Sequence, residues 1–182
     1  MPLKYIKIGI KIKRYGIIMS RTVVDGFEII ANIRLQDYDI MTVPGDGDCM
    51  YRSILQSSRA LGKAPGTVYD DTKQGIIGSR GFRNNVADII KSDTSMEANL
   101  GRSLARQLKS EMIKSVKSGA WGTDAIASMI SNHYKIPIAI IGKHNHEVIN
   151  GVDDLSGIIL YYDSTKDSEH YDWLRKKVRY RM

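Results

Sequence analysis

The sequence predicts an α+β domain with a central, mostly antiparallel β-sheet. Three observations predict it. Helical patterns fill the middle of the chain, over residues 49–61, 82–91, 103–117 and 124–134. Apolar and extended runs then follow at 136–141, 147–149, 158–162 and 168–174, joined by turns, which reads as an antiparallel meander. At 182 residues and 42% hydrophobic content, the chain is one domain by size and long enough to bury a core.

The elements follow in order. Residues 4–13 alternate apolar and basic, the pattern of a two-faced edge strand with a solvated lysine face. An anionic-surface anchor is the sharper alternative, but elements that lie on membranes are helices rather than strands. Val23–Val24 and Phe27–Ile33 read as strands around an Asp25-Gly26 turn. Residues 37–43 lead into a turn-rich run, and the helix from Cys49 stops at Gly62. Residues 62–81 hold five glycines and Pro65 and read as a loop or lid. In the 103–117 helix, Leu104, Leu108, Met112 and Val116 lie at helical spacing and are expected in the core. Thr123 caps the helix that starts at Asp124. The run 136–141 is apolar throughout, as a buried strand requires.

The net charge of +7 belongs to the ends. Residues 1–21 carry six bases and residues 175–182 carry five, with no acid in either stretch; the 16 remaining bases face 20 acids, a net −4 over residues 22–174. The chain therefore divides into a basic N-terminal extension or edge strand (1–21), a body (22–174) and a basic tail (175–182). An acidic body does not suit a nucleic-acid reader, whose basic patch sits on the fold itself. No apolar signal segment and no run long enough to span a bilayer is present. One cysteine excludes an internal disulfide framework and points to a reducing compartment.

That cysteine closes the run Pro44-Gly45-Asp46-Gly47-Asp48-Cys49 and opens a helix. Asp48 suits the N-cap, which places the Cys49 sulfur at the positive end of the helix and favours the thiolate. Glycines on the N-terminal side let the backbone fold tightly, so that N–H groups of Gly45, Asp46, Gly47 and Asp48 converge as an oxyanion hole. A lone cysteine is otherwise a small buried hydrophobe, so a base is required. His133 falls late in a helix and reads as structural or surface. His144 and His146 flank a turn without the further ligands that a zinc site needs. His170 lies in an extended run with Asp172 two residues on, and residues two apart share a face. Asp172 would accept the Nδ1 proton of His170 and leave Nε2 for the cysteine, with Tyr171 and Trp173 opposite. A surface histidine beside an acid is the alternative.

Gly45-Asp46-Gly47-Asp48-Cys49-Met50-Tyr51-Arg52-Ser53-Ile54 resembles the cysteine box of the ovarian-tumour (OTU) family of deubiquitinating cysteine proteases. Trp121-Gly122-Thr123-Asp124 resembles its middle motif, and Ile158–Tyr162 followed by His170-Tyr171-Asp172 resembles its histidine box. The three stand in the family's order over residues 37–174. The resemblance implies a papain-like OTU fold, a central sheet between helical lobes. It implies Cys49 as nucleophile, His170 as general base, Asp172 as orienting acid, and Asp46 in support of the oxyanion loop. The family often has Asn where Asp48 stands, and a carboxylate there opposes thiolate formation; reduced reactivity is expected, not inactivity.

The resemblance further implies an isopeptidase that cuts after the C-terminal glycine of ubiquitin or a ubiquitin-like modifier through a thioester, with no metal or cofactor. Trp121 and Trp173 are candidate walls of a channel for the modifier tail, or plain core. A monomer acting in the cytoplasm, specifically a host cytosol as a viral protease or bacterial effector, is expected from the compact chain and the resemblance. The alternatives are a cysteine protease or acyltransferase with a non-ubiquitin substrate, a catalytically weak ubiquitin-binding module, and a basic-tailed nucleic-acid binder.

Overall fold

The computed structural model describes residues 6–8, 21–24, 27–28, 37–69, 76–142, 148–150, 156–164 and 169–178. Three short strands, β1 (Ile6–Ile8), β2 (Arg21–Val24) and β3 (Phe27–Glu28), form an antiparallel sheet in that order. Val24 pairs with Phe27, and the Asp25-Gly26 turn expected between them lies outside the described residues. Next come β4 (Tyr38–Met41), α1 (Cys49–Ala60), α2 (Ile76–Ser92), α3 (Ser95–Leu100), α4 (Arg102–Lys117) and α5 (Asp124–Tyr134). The chain finishes with β5 (Ile138–Gly142), β6 (Val148–Asn150), β7 (Ile158–Asp163) and β8 (His170–Lys176).

The main sheet has the order β4-β8-β7-β5-β6. All its pairings are antiparallel except β5 with β7. The α+β expectation with a mostly antiparallel sheet therefore holds, but the meander does not. β6 turns back along the outer edge of β5, and β7 crosses to the inner edge, where it runs parallel to β5 from the Ile138–Ile158 pair onward. Gly157 permits that crossing, because a Cβ there would stand 2.0 Å from the Pro137 carbonyl oxygen. Alternation along the strands does the rest. Ile138, Ile140, Ile158, Leu160, Tyr171 and Trp173 face the main core with α1, α2 and α5. Ile141, Ile159, Tyr161 and Leu174 form a smaller cluster on the other face.

Several expectations require correction. The second helix starts at Ile76, not Phe82, so Gly78 and Gly81 lie inside it. Each interior glycine costs roughly 1 kcal/mol of helix propensity, and burial of Phe82, Val86, Ala87 and Ile90 overrides that cost. The stretch before it is docked rather than loose over 62–69. Gly66 lies so close to α1 that a Cβ would come within 2.4 Å of both the Arg59 N and the Leu55 O. The buried stripe of α4 matches the expected one in part, with Val116 buried and Met112 packed on the core. Ala105, Lys109 and Val116 are buried, whereas Leu104 is 47% exposed. Lys109 is tolerated inside because it pairs with Glu97 at 3.1 Å. The short helix α3 was not expected. β8 extends two residues into the stretch read as a basic tail, and its Arg175 pairs with Asp39 at 3.2 Å. The lysine face of residues 4–13, the pair His144 and His146, and residues 179–182 lie outside the described side chains.

Candidate active site

The cysteine loop is a hydrogen-bonded turn. Cys49 N–H donates to the Asp46 carbonyl at 3.1 Å, and Arg52 N–H donates to the Asp48 carbonyl at 2.8 Å, which starts α1. Asp48 occupies the N-cap but makes no side-chain cap bond, contrary to expectation. Its carboxylate instead turns to α2, accepting from Ser79 Oγ at 2.8 Å and from Arg83 Nε. Asp46 does the local work: one carboxylate oxygen accepts the Asp48 N–H at 3.0 Å, and Arg52 grips both oxygens at 2.9 and 3.2 Å. Burial pushes the Asp46 carboxyl up, but the Arg52 and backbone hydrogen bonds outweigh it and leave it below the usual carboxylate range. One of the loop amides expected to converge on an oxyanion, that of Asp48, is thus held by Asp46, and so is the amide of Cys49.

Cys49 is buried, at 1% exposure. Burial pushes its thiol above the ordinary value. The N–H groups of Tyr171 and Met50 pull the other way, Asp46 adds to the rise, and Arg52 lowers it. The expectation of a favoured thiolate is corrected accordingly: desolvation exceeds the help from the helix start. The Tyr171 amide at the sulfur also brings the thiol beside the start of β8. Two side-chain bonds hold α1 in that register. Ser53 Oγ donates to the Tyr171 carbonyl at 3.0 Å, and Trp173 Nε1 donates to Gln56 Oε1 at 3.2 Å.

His170 and Asp172 share a face of β8, half-buried, while Tyr171 and Trp173 are buried opposite, as the alternation predicts. The pairing atom is not the expected one. Nε2 of His170, not Nδ1, meets Asp172 Oδ1 at 2.9 Å. Nδ1 is buried and makes no hydrogen bond within the described chain. The ring lies against the cysteine loop, where a Cβ on Gly45 would stand 3.5 Å from Nδ1. The cysteine loop explains the exchange: with Nδ1 turned to Gly45, the outer nitrogen is the one left to reach Asp172 along β8. Asp172 Oδ1 also accepts the Val43 N–H at 3.1 Å, tying β8 to the segment that leads into the cysteine loop.

The middle motif packs on this loop. Thr123 caps α5, its side chain accepting from Ile126 N at 3.4 Å. A Cβ on Gly122 would meet Met50 Cε at 2.2 Å, and one on Gly47 would meet the Gly119 oxygen at 2.2 Å. Trp121 is half-buried against the main core. Trp173 is a core residue, 5% exposed, and does not wall an open channel. His133 is exposed and stacks edge-on with Tyr134. Among the described residues no three His, Cys, Asp or Glu side chains come together as a metal site.

Sequence reasoning missed Arg83. Its guanidinium is 5% exposed, with Nη1 donating to the Val116 and Ala120 carbonyls at 2.9 Å each, Nη2 to the Gly47 carbonyl, and Cζ 4.2 Å from the Tyr51 ring centroid. The signal was available. Ser79, Arg83, Val86 and Ile90 recur at the spacing of one helix face, so an arginine stands at a core position. A buried cation needs a partner.

No family model and no curated protein matches the sequence. Solved structures do. The viral OTU domain protease from Taggert virus superposes at TM-score 0.58 with 14% identity, over 100% of this chain and 98% of that one. The Hazara virus OTU bound to ubiquitin gives TM-score 0.55 and 17% identity over 97% of each chain. An OTU deubiquitinase from Wolbachia pipientis gives TM-score 0.50 and 14% identity over 77% of this chain and 89% of that one. With the cysteine-loop, middle and histidine segments packed together around the start of α1 and solved OTU domains superposing on nearly the whole chain, this protein has the OTU fold.

Proposed function

We propose that this chain is a cysteine deubiquitinase that hydrolyses the bond after the C-terminal glycine of ubiquitin or a ubiquitin-like modifier. The reading rests on one observation above the others. The chain's only cysteine lies at a helix start with the Tyr171 N–H at its sulfur, and the adjoining His170 has its Nε2 2.9 Å from Asp172 and its Nδ1 turned to the cysteine loop and unpaired within the described chain. Nδ1 takes the thiol proton as the sulfur attacks the glycine carbonyl carbon. The Cys49–acyl bond forms and the carbonyl electrons move onto oxygen. The donors proposed for that charge are the loop amide of Gly47 and that of Cys49 on giving up its 3.1 Å turn bond. His170 then passes its proton to the leaving lysine amine, and the C–N bond breaks. Water, deprotonated by Nδ1, hydrolyses the thioester and returns the thiol. Asp172 holds the ring and steadies the imidazolium throughout. Half-buried Trp121 is the candidate wall for the modifier tail.

Ubiquitin as the partner is supported by the Hazara virus structure, which carries it. The viral and Wolbachia neighbours support action in a host cytosol, where a single free cysteine would stay reduced. Among the described residues no helix is long and apolar enough to cross a membrane. The test is a ubiquitin probe with a thiol-reactive C-terminus, followed by a panel of diubiquitins and modifier fusions. Adduct formation on the parental protein and none on Cys49→Ala is expected. A folded parental protein that neither labels nor cleaves any of the panel would overturn the reading.

A further inference from the structure

We propose that Arg83 is the positioning residue for the nucleophile: its guanidinium fixes the Gly47–Asp48 segment ahead of Cys49 and neutralises the carboxylate of Asp48, the residue before the thiol. The inference rests on the reading of Cys49 as the nucleophile.

Three features converge on this side chain. Its donors point in two directions, toward the cysteine loop through Gly47 O and Asp48 Oδ1, and toward the end of α4 through Val116 O and Ala120 O at 2.9 Å each. A planar guanidinium with its donors in a rigid fork can hold both groups at once, and an ammonium cannot reproduce that geometry. The two segments it joins already touch, since a Cβ on Gly47 would come 2.2 Å from the Gly119 oxygen. Arg83 therefore sets the direction of the Gly47 carbonyl. Because the peptide is planar, it also sets the direction of the amide that follows. Finally, Asp48 has its two carboxylate oxygens engaged by α2, one by Arg83 and one by Ser79 at 2.8 Å. This accounts for an acid immediately before a nucleophilic thiol.

The charged groups around Cys49 can be named. Asp46 and Arg52 act on it from its own loop and helix, and Asp48, the residue before it, is held by Arg83 from α2. On β8, His170 and Asp172 flank Tyr171, whose N–H reaches the sulfur, and Asp124 stands at the first turn of α5 near Tyr171. Arg52 already serves Asp46, which leaves Arg83 to offset Asp48. Without Arg83 the Asp48 charge acts on the thiol unopposed and makes the thiolate harder to form.

Because the chain has one cysteine, carbon-13-labelled cysteine gives one resonance whose pH dependence reads the Cys49 ionisation directly, with no substrate present. Arg83→Gln should raise that midpoint by about one pH unit, and adding Asp48→Asn should bring it back toward the parental value. Arg83→Lys keeps the charge, so its midpoint should stay near parental. It loses the fork, so kcat on a ubiquitin substrate should fall about tenfold with KM within about twofold. A purely structural role would lower melting temperature and leave the midpoint where it was. A folded Arg83→Gln protein with an unshifted midpoint, or an Arg83→Lys protein with parental kcat, would overturn the proposal. If Arg83→Gln does not fold, Asp48→Asn decides. It leaves Arg83 uncompensated, so the midpoint should fall, and an unchanged midpoint would overturn the charge role. A parental protein that cleaves no ubiquitin substrate while these midpoints shift as stated would count against the deubiquitinase reading and leave the positioning role standing.

Discussion

Replacing Asp172 by asparagine separates the two things its carboxylate does. Oδ1 accepts from Val43 N–H at 3.1 Å and faces His170 Nε2 at 2.9 Å, so both contacts fall on one oxygen. An asparagine carbonyl oxygen has two lone pairs and can keep both bonds, so geometry and tautomer survive and only the charge is lost. A hydrogen bond to a charged group contributes about 1.5–3 kcal/mol and a neutral one about 0.5–1.5, a difference of roughly 1.4 kcal/mol, or about tenfold in kcat/KM. Asp172→Ala removes both bonds. It leaves the Val43 N–H unsatisfied in a part-buried position, which costs about 1–3 kcal/mol of stability as well as activity. His170→Ala removes the base and should cost about a thousandfold. The assay is steady-state hydrolysis of a fluorogenic ubiquitin substrate, with urea unfolding of each variant alongside. The order expected is Asn, then Ala, then the histidine variant. Equal losses for Asp172→Asn and His170→Ala would refute the claim that Asp172 acts mainly by holding the ring.

Three further outcomes follow from the site and its packing. Because burial holds the Cys49 thiol above its ordinary value, the rate of iodoacetamide alkylation should keep rising with pH through and beyond the normal thiol range, and a plateau near neutrality would show a stable thiolate instead. Gly122→Ala should cost about 1–3 kcal/mol by overpacking, since the new Cβ would meet Met50 Cε at 2.2 Å and Met50 Cβ at 3.0 Å; the flexible tip can yield but the Cβ cannot without moving α1, and an unchanged denaturation midpoint would show that it does. The Tyr51 hydroxyl is buried without a partner in the described chain and its pKa is pushed up to about 12 by burial, so Tyr51→Phe should leave stability equal or slightly higher, and a loss above about 1 kcal/mol would reveal a hydrogen bond to that hydroxyl.

What could be read from the sequence was what periodicity and local chemistry control. The α5 cap at Thr123, the stop at Gly62 with its φ of +65°, and the common face of His170 and Asp172 all follow from neighbours within a few residues. Long-range packing decided the rest. Nothing local says that Gly78 and Gly81 belong to a helix, because what holds them there is the fit of Phe82 and Val86 into a core built from distant strands. Neither does sequence spacing distinguish Nδ1 from Nε2, since the ring's orientation is set by a loop 125 residues earlier, at Gly45. The same limit applied to the β5–β7 pairing, where hydrophobic runs identify the strands but not their order.

The position of β8 carries a consequence for how the molecule comes to be active. Though it follows the other strands in the chain, it lies inside the sheet, between β4 and β7. Its ties to α1 and to the segment after β4 span 118 and 129 residues. A growing polypeptide would therefore display the thiol-bearing helix long before the histidine proposed to activate it, and β4 and β7 would wait with open edges until β8 inserted. Contacts of such high sequence separation form slowly, and here they coincide with assembly of the proposed proton-transfer pair. Catalytic competence would appear in a single late step, and any partly synthesised or locally unfolded form that lacks β8 would be inert.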